Sequence, residues 1–160
     1  MEILNTRDER EVWDKVYGSF KFQPSINDSK MPFQIEQAHK IFELLACWNE
    51  PQHKIVSEIF KSLDCKNIFA LDWQHDCFLF NPCEEIPFGM TWHDDTRDCQ
   101  VYFPSYYPDG DYHFFISSDF SYGLLGHPWR KEIWAFGQWL IQKLEENQAM
   151  LMLQEKICLY

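Results

Sequence analysis

Four short segments concentrate the residue types that transfer protons or bind metal ions. They are Asp72-Trp73-Gln74-His75, Trp92-His93-Asp94-Asp95, Pro108-Asp109-Gly110-Asp111, and Asp119 with Gly126-His127-Pro128-Trp129. A histidine beside a carboxylate can act as a general acid or base near neutral pH, so Asp72 with His75 and Asp119 with His127 are candidate pairs. We favour the alternative that such pairs are structural, because satisfied polar networks also fix the loops between strands.

Metal binding requires three or four ligands that converge on one point. The histidines are far apart in sequence, with neither a His-x-His nor a His-Glu-x-x-His pattern, and the Asp-Gly-Asp is too short for a calcium-binding EF-hand loop. We therefore expect Asp109 to cap a β-turn and Asp111 to begin a strand. The sequence predicts no bound metal and no cofactor. The residues whose side chains could supply metal ligands are His75, His93, His127, Asp109 and Asp111.

Nucleophilic catalysis has one candidate, Cys77, which lies two residues after His75 and would share its face of a strand. A catalytic thiol must be exposed and acidic, whereas Cys77 is followed by Phe-Leu-Phe, which predicts a buried and inert thiol. The sequence contains no Gly-x-Ser-x-Gly, P-loop or Gly-x-Gly-x-x-Gly pattern.

The six cysteines form no Cys-x-x-Cys pair, which excludes zinc-ribbon and thioredoxin-like motifs. Met1 is followed by Glu2 without an apolar segment, so we expect a cytoplasmic protein with free thiols. No stretch approaches the roughly 18 apolar residues of a membrane span.

The overall charge also restricts the possible partners. With 14 basic and 25 acidic residues the net charge is −11, which argues against binding to nucleic acid or to anionic membranes. It permits a basic protein partner, although acidity can also serve solubility alone. Aromatic residues make up 18% of the chain, and we expect some of these rings at the surface.

These residues must be positioned by one α+β domain over residues 1–160. Thr6 and Glu9 predict a capping box that begins a helix, and Gly18 is placed to end it. Phe20 and Phe22 predict a short strand, followed by a loop to residue 32. Residues 51–63 predict a second helix, with Asn49 as a possible cap.

The rest of the chain is rich in predicted strands. Residues 68–73 and 77–80 predict one hairpin, and residues 99–103 and 112–117 predict another around the turn 107–111, in which Gly110 supplies a positive φ. Residues 123–128 predict a loop, 131–136 a strand, and 138–153 a long C-terminal helix, whereas 39–46 is ambiguous. Together these elements predict an antiparallel β-sheet with helices packed on one face.

The sequence also resembles a bacterial family of uncharacterised proteins, domain of unknown function 2716. The resemblance is carried by Leu71-Asp72-Trp73-Gln74-His75, Pro108-Asp109-Gly110-Asp111-Tyr112, Gly126-His127-Pro128-Trp129 and Phe136-Gly137, and more loosely by Phe20-Lys21-Phe22-Gln23-Pro24-Ser25. It implies a bacterial cytoplasmic protein and favours a strand over residues 39–46. It implies no activity, cofactor or catalytic residue.

Two functional hypotheses follow. The first is a non-enzymatic binding protein, in particular an immunity-type protein that neutralises a basic partner; the second is a small hydrolase-like enzyme that uses a His/Asp cluster. We expect Asp72, His75 and His127 to meet at one rim of the sheet, because strand ends and loops gather there. The candidate binding residues are Asp72, Trp73, His75, Asp109, Asp111, His127 and Trp129.

Overall fold

The computed structural model describes residues 1–27, 30–64 and 66–157. In chain order the elements are β1 (Glu2–Ile3), α1 (Thr6–Phe20), β2 (His39–Leu44), α2 (Glu50–Lys61), β3 (Ile68–Asp72), β4 (Phe78–Phe80), β5 (Thr91–Asp94), β6 (Cys99–Tyr102), β7 (His113–Ser117), β8 (Gly123–His127), β9 (Glu132–Phe136), α3 (Gln138–Glu146) and β10 (Leu153–Glu155). Eight strands form one antiparallel sheet in the order β1-β4-β3-β7-β8-β9-β2-β10, and β5 and β6 form a separate hairpin. The α+β class predicted from the sequence is confirmed.

The sheet is covered on both faces, so the prediction that all helices lie on one face was wrong. Helix α1 packs Val16 and Phe20 on one side of the sheet, which we call the α1 face. Helices α2 and α3 pack on the other side, the α2 face, through residues such as Phe60 and Leu144. Every residue of β7, β8 and β9 is buried, and strands that are apolar on both faces need cover on both.

Helix α1 begins and ends differently from the prediction. Its cap is Asn5, whose Oδ1 accepts the amides of Arg7 and Asp8 at 3.0 Å, so Thr6 is already helical. The helix continues past Gly18, and Phe20 is its last residue. The strand predicted at Phe20 and Phe22 is therefore not formed within residues 1–27, which the structure describes. Asp28 and Ser29 of the predicted loop lie outside the described residues.

Several local predictions are confirmed. Residues Glu50–Lys61 form α2 with Asn49 as its N-cap, and β3 and β4 form the predicted hairpin. The ambiguous segment contains a strand, His39–Leu44, as the family resemblance implied, and Glu132–Phe136 is a strand as well.

The hairpin predicted around residues 107–111 was wrong. Strand β6 pairs with β5, whereas β7 pairs with β3 and β8 in the main sheet. The connection between β6 and β7 instead lies over the α2 face, where Tyr106 packs on Phe60 and Phe115. Within it Gly110 has a φ of 77°, so the predicted positive φ is confirmed.

Residues 123–128 do not form a loop, because Gly123–His127 is the central strand β8. Its Leu124 fills the core on the α2 face and Leu125 fills the core on the α1 face. Gly123 and Gly126 flank only two leucines, and glycines at this spacing are typical of a loop. The sequence therefore did not reveal a strand that is buried on both faces.

The predicted long C-terminal helix was also wrong. Helix α3 has nine residues and is followed by Asn147 at its C-cap. The Trp48 indole N–H donates to the Leu151 carbonyl at 2.6 Å, which holds the chain as it returns to the sheet. Leu151 and Leu153 are buried at a spacing of two, which is the spacing of a strand.

In the described part of the chain, Cys47, Cys77 and Cys99 are free thiols. The predictions for Cys65 and Cys158 lie outside the described residues. Among the residues that the structure describes, no helix combines the length and apolar character needed to cross a bilayer.

Candidate functional site

The Asp–His cluster, which we define as Asp72, His75, Asp111 and His113, lies at one end of the central strands. Asp72 ends β3 and pairs in register with His113, which begins β7. Asp111 precedes His113 by two residues, and His75 lies in the short connection between β3 and β4. The hairpin between β3 and β4 therefore brings His75 back over the residue that ends β3.

Asp72 is the centre of the cluster. Its Oδ1 accepts the amide of Gln74 at 3.1 Å and lies 3.0 Å from His75 Nδ1, and its Oδ2 lies 3.3 Å from His113 Nε2. Burial alone would raise the pKa of Asp72, but the contacts with His113 and His75 outweigh it and lower the pKa to about 2. Asp72 is therefore a buried carboxylate whose charged form is stabilised by the groups around it.

His113 is the partner that the sequence did not reveal. Its Nδ1 lies 3.0 Å from the Ser105 carbonyl and 3.1 Å from the Tyr107 carbonyl, while its Nε2 faces the carboxylate of Asp72. Because both ring nitrogens face acceptors, these surroundings favour the doubly protonated imidazolium form of the ring. Burial works against this charge, but Asp72 and the two carbonyls raise the pKa of His113.

Asp111 is the least satisfied member of the cluster. Its Oδ1 accepts the amide of Tyr112 at 2.7 Å, but its buried Oδ2 has no hydrogen-bond partner among the described residues. Burial raises the pKa of Asp111, and the nearby negative charge of Asp72 raises it further. The cluster thus contains one carboxylate that is fully paired and one that is incompletely paired.

The cluster can hold a ligand as well as stabilise the fold. Asp72, His75 and Asp111 each offer one ligand atom, and these three atoms lie within 4.8 Å of one another. The His75 side chain is 54% exposed, so the cluster is open to solvent on that side. The centroid of the His75 ring lies 6.3 Å from that of the Tyr102 ring. Two carboxylates and an accessible imidazole can bind a cation or transfer a proton.

His127 does not join this cluster. In the register of the sheet Asp72 pairs with His113, and His113 pairs with Gly126. His127 is one residue further along β8, so its side chain lies on the opposite face of the sheet. There the Arg130 amide donates to His127 Nδ1 at 3.2 Å, and His127 Nε2 lies 3.3 Å from the Tyr112 hydroxyl. The predicted meeting of Asp72, His75 and His127 is thus confirmed only for the first two.

Tyr112 links His127 to a loop on the α1 face. Its hydroxyl donates to the Ser25 carbonyl at 2.7 Å and accepts the Ser25 amide at 2.9 Å. Since His127 Nδ1 accepts the Arg130 amide, its Nε2 carries the proton and donates to the Tyr112 oxygen. Every one of these bonds is internal, which indicates that His127 has a structural role.

This role predicts the outcome of His127→Ala. The change removes the donor to Tyr112 and the acceptor for the Arg130 amide, so we expect the free energy of unfolding to fall by about 1–3 kcal/mol. Urea denaturation measures the loss, and binding of any partner by the folded variant should be unchanged. A stable variant that had lost its binding would instead show that His127 contacts the partner.

The remaining predicted site residues lie at or near the same end of the sheet. Trp73 and Trp129 are exposed, and both rings pack edge-on against the buried Tyr112 at 6.0 and 5.3 Å. Asp109 is exposed on the connection between β6 and β7. We call Trp73, Trp129 and Tyr112 the aromatic rim.

The structure argues against two reactive arrangements considered from the sequence, the Asp119–His127 pair and a nucleophilic Cys77. Asp119 lies in the turn between β7 and β8, at the opposite end of β8 from His127, where its carboxylate binds Lys66 at 2.6 Å. The proposed pair of Asp119 with His127 is therefore wrong. Cys77 is fully buried, as predicted, and burial raises the pKa of its thiol to about 12, which disfavours a nucleophilic role.

Sequence reasoning also missed a third buried carboxylate, in addition to Asp72 and Asp111. Glu132 begins β9 and accepts from Arg130 Nε at 2.8 Å, from the Trp134 indole at 3.2 Å and from Lys156 Nζ at 2.5 Å. A single glutamate at the start of a strand is typical of an exposed position, so only the aromatic and basic partners nearby offered a signal.

Comparison with known proteins identifies the family of the chain. The family model described as "Protein of unknown function (DUF2716)" matches residues 3–141. The chain belongs to the DUF2716 family. The DUF2716 match includes the whole Asp–His cluster, the aromatic rim and Gly137, and all of these residues except His113 lie in the segments that carried the resemblance.

A bacterial relative of this DUF2716 chain shares nearly its full length. It is the "Uncharacterized protein YxiI" of Bacillus subtilis (strain 168), which is 29% identical over 164 residues, covering 93% of this chain and 94% of the relative. No solved structure matches the chain significantly. Neither the family description nor the name of the relative states an activity, so the DUF2716 site is interpreted from its own geometry.

Proposed function

We propose that the chain is a non-enzymatic binding protein, of the immunity type, that takes a basic protein partner at the aromatic rim. The observation that carries this proposal is the placement of Trp73 and Trp129. Both are large side chains with exposed surface, and both pack on the same fully buried ring, Tyr112. Tryptophan is the residue most enriched at the energetic centres of protein interfaces.

The two tryptophans are held in place before any partner arrives. The indole N–H of Trp73 donates to the Tyr17 hydroxyl at 2.9 Å, and Tyr112 is itself fixed by its hydrogen bonds to Ser25. A side chain that is already ordered loses little conformational entropy on binding, so more of its contact energy appears as affinity. Rigid exposed rings are more readily explained by a docking surface than by the core.

The charge beside the rim favours a basic partner. Arg97 joins the turn between β5 and β6 to the connection between β3 and β4, with Nη1 2.6 Å from Asp76 Oδ1 and Nε 2.6 Å from Asp94 Oδ2. This arrangement leaves Asp95 and Asp98 almost fully exposed on that turn. With a net charge of −11, the surface would attract a basic protein and repel nucleic acid or an anionic membrane.

A capture experiment with matched tryptophan variants tests the proposal. The immobilised wild-type chain, Trp73→Ala and Trp139→Ala are exposed to lysate of a DUF2716-containing bacterium; Trp139 is a control because it is 68% exposed on α3. We expect a basic protein to be retained by the wild type and by Trp139→Ala, and its affinity for Trp73→Ala to fall at least about 30-fold, the loss of a ~2 kcal/mol hot spot.

Binding must then be reproduced with purified components, and it should weaken as salt is added because the charges are exposed. Equal retention by all three forms would contradict the proposed surface, and absence of any basic partner would contradict the function. Co-expression of the chain with the captured partner tests neutralisation directly. We also propose a cytoplasmic location, which the free thiols of Cys47, Cys77 and Cys99 support.

A second candidate function is a small hydrolase-like enzyme, which the Asp–His cluster favours. It combines the exposed His75 with the buried carboxylates of Asp72 and Asp111, a set that can activate water. Hydrolysis of p-nitrophenyl esters and phosphates by the wild type, and its loss in His75→Gln, would support this function. Equal rates in both forms would contradict it.

A further inference from the structure

We propose that Asp72, His75 and Asp111 form a binding site for one divalent first-row transition metal ion, of the Mn²⁺ or Zn²⁺ class. The inference stands independently of the protein-binding proposal, because it concerns the isolated chain. It departs from the expectation drawn from spacing, since the three residues come from the end of one strand, a hairpin connection and the approach to another strand.

The ligand atoms are arranged as an ion requires. They lie within 4.8 Å of one another, and Asp72 Oδ1 is 3.0 Å from His75 Nδ1. Two ligands at about 2.0–2.2 Å from a shared ion are separated by roughly 3–4 Å. His75 is the exposed member of the three, so its ring is the ligand with room to move toward this geometry.

Asp111 supplies an independent reason for a ligand. Its side chain is only 4% exposed, and its Oδ2 has no hydrogen-bond partner among the described residues. A buried carboxylate oxygen without a donor is unfavourable, particularly beside a second carboxylate. A cation between Asp72 and Asp111 would satisfy this oxygen and remove the repulsion between the two groups.

His113 would support the site without binding the ion. It contacts Oδ2 of Asp72, which leaves Oδ1 directed at His75. Groups of this kind orient the residues that ligate a metal and influence its affinity. The ring of His113 is fixed in turn by the carbonyls of Ser105 and Tyr107, so the orientation of Asp72 is set before binding.

The ligand set selects the class of ion. Calcium and magnesium prefer oxygen ligands only, and thiolate-rich sites select softer ions. One imidazole with two carboxylates suits Mn²⁺ or Zn²⁺. Three protein ligands also leave a coordination position free, and the exposure of His75 places that position on the solvent side.

Titration of the metal-free full chain with Mn²⁺ by isothermal calorimetry tests the site. Mn²⁺ is preferable to Zn²⁺ as the first probe, because exposed Cys47 and Cys83 bind Zn²⁺ through their thiols. We expect one ion per chain. In Asp111→Asn and in His75→Gln the affinity should fall by at least about 100-fold, since loss of even an outer-shell partner costs 10–100-fold.

Both variants should fold without metal. Asparagine retains an oxygen for the Tyr112 amide, and His75 is exposed, so circular dichroism and thermal midpoints should match the wild type or exceed it. His93→Gln is the matched control, because His93 is an exposed histidine beside Asp95 and Asp98 on another strand, and its Mn²⁺ affinity should equal that of the wild type.

Three results would overturn the proposal: no stoichiometric binding by the wild type, undiminished binding by the folded Asp111→Asn and His75→Gln variants, or equal loss in His93→Gln. None of them depends on capture of a protein partner. Conversely, failure of the Trp73 experiment would leave the metal titration unaffected.

Discussion

Replacing Gly137 by alanine is expected to lower the free energy of unfolding by about 3–5 kcal/mol. Gly137 lies between β9 and α3 with a φ of 91°, a conformation that costs an L-residue about 1–3 kcal/mol. An added Cβ would also lie 2.3 Å from the Cβ of Tyr122 and 2.9 Å from its Cα. Because part of that contact is with backbone, the strand or the helix must shift, which adds a further 1–3 kcal/mol or so.

Gly110→Ala is the matched control. Gly110 also has a positive φ, 77°, but an added Cβ would meet no heavy atom of the described residues within 4 Å. We therefore expect a loss of only about 1–2 kcal/mol, from backbone strain alone. Urea denaturation of both variants separates the two effects, and losses of equal size would show that the contact with Tyr122 is relieved without cost.

Glu132→Ala is expected to destabilise the protein by about 3–5 kcal/mol, because it leaves Arg130 and the buried indole of Trp134 without their acceptor. Lys156 loses its partner as well. Glu43 provides the control: it pairs with Glu132 in register on the neighbouring strand but is exposed. Glu43→Ala should change the free energy of unfolding by no more than about 0.5 kcal/mol.

The contribution of Glu132 should depend on pH. Burial alone would raise the pKa of Glu132, but the contacts with Arg130, Lys156 and Trp134 lower it below the ordinary value of 4.5. Since the folded pKa is the lower one, the stabilisation is complete above about pH 4.5 and is lost as the pH falls through the folded value. The difference in stability between the wild type and Glu132→Gln should therefore shrink below pH 4.5. A constant difference down to pH 2 would contradict this origin.

Local elements could be predicted from the sequence where a helix cap or a clear periodicity of apolar residues identified them. Asn49 with the apolar face that follows identified α2, and two short apolar runs separated by three polar residues identified the hairpin of β3 and β4. Pairing between distant segments could not be predicted. Strand β6 and strand β7 flank a plausible turn, yet each has a different partner, because which strands meet is decided by burial of both faces.

The two faces of the sheet also explain the errors at the chain ends. A sheet covered on one side needs alternating strands, whereas every residue of β8 is buried, and the glycines on both sides of its Leu-Leu pair predict a loop. The alternation of Leu151 and Leu153 was concealed within an apolar segment that equally fits a helix. Periodicity over so few residues does not distinguish the two structures.

The candidate site was predicted in part. Asp72 and His75 are close in sequence, so their contact follows from the hairpin itself. Asp111 was predicted to begin a strand, but β7 begins two residues later, at His113. His113 was missed because a lone histidine after an aspartate and a tyrosine carries no pattern. His127 was misplaced because a shift of one residue along β8 moves a side chain to the other face.

The outermost strands of the sheet have a consequence for how another chain could join it. In the described part of the chain the edges are β1, with two residues, and β10, with three. Such short edges expose few unpaired amides and carbonyls, and Glu2 and Glu155 add charge to them. β-Augmentation, in which a partner extends the sheet by one strand, is therefore disfavoured. For the proposed protein partner, this favours recognition through side chains at the strand ends, such as Trp73, over backbone pairing along an edge strand.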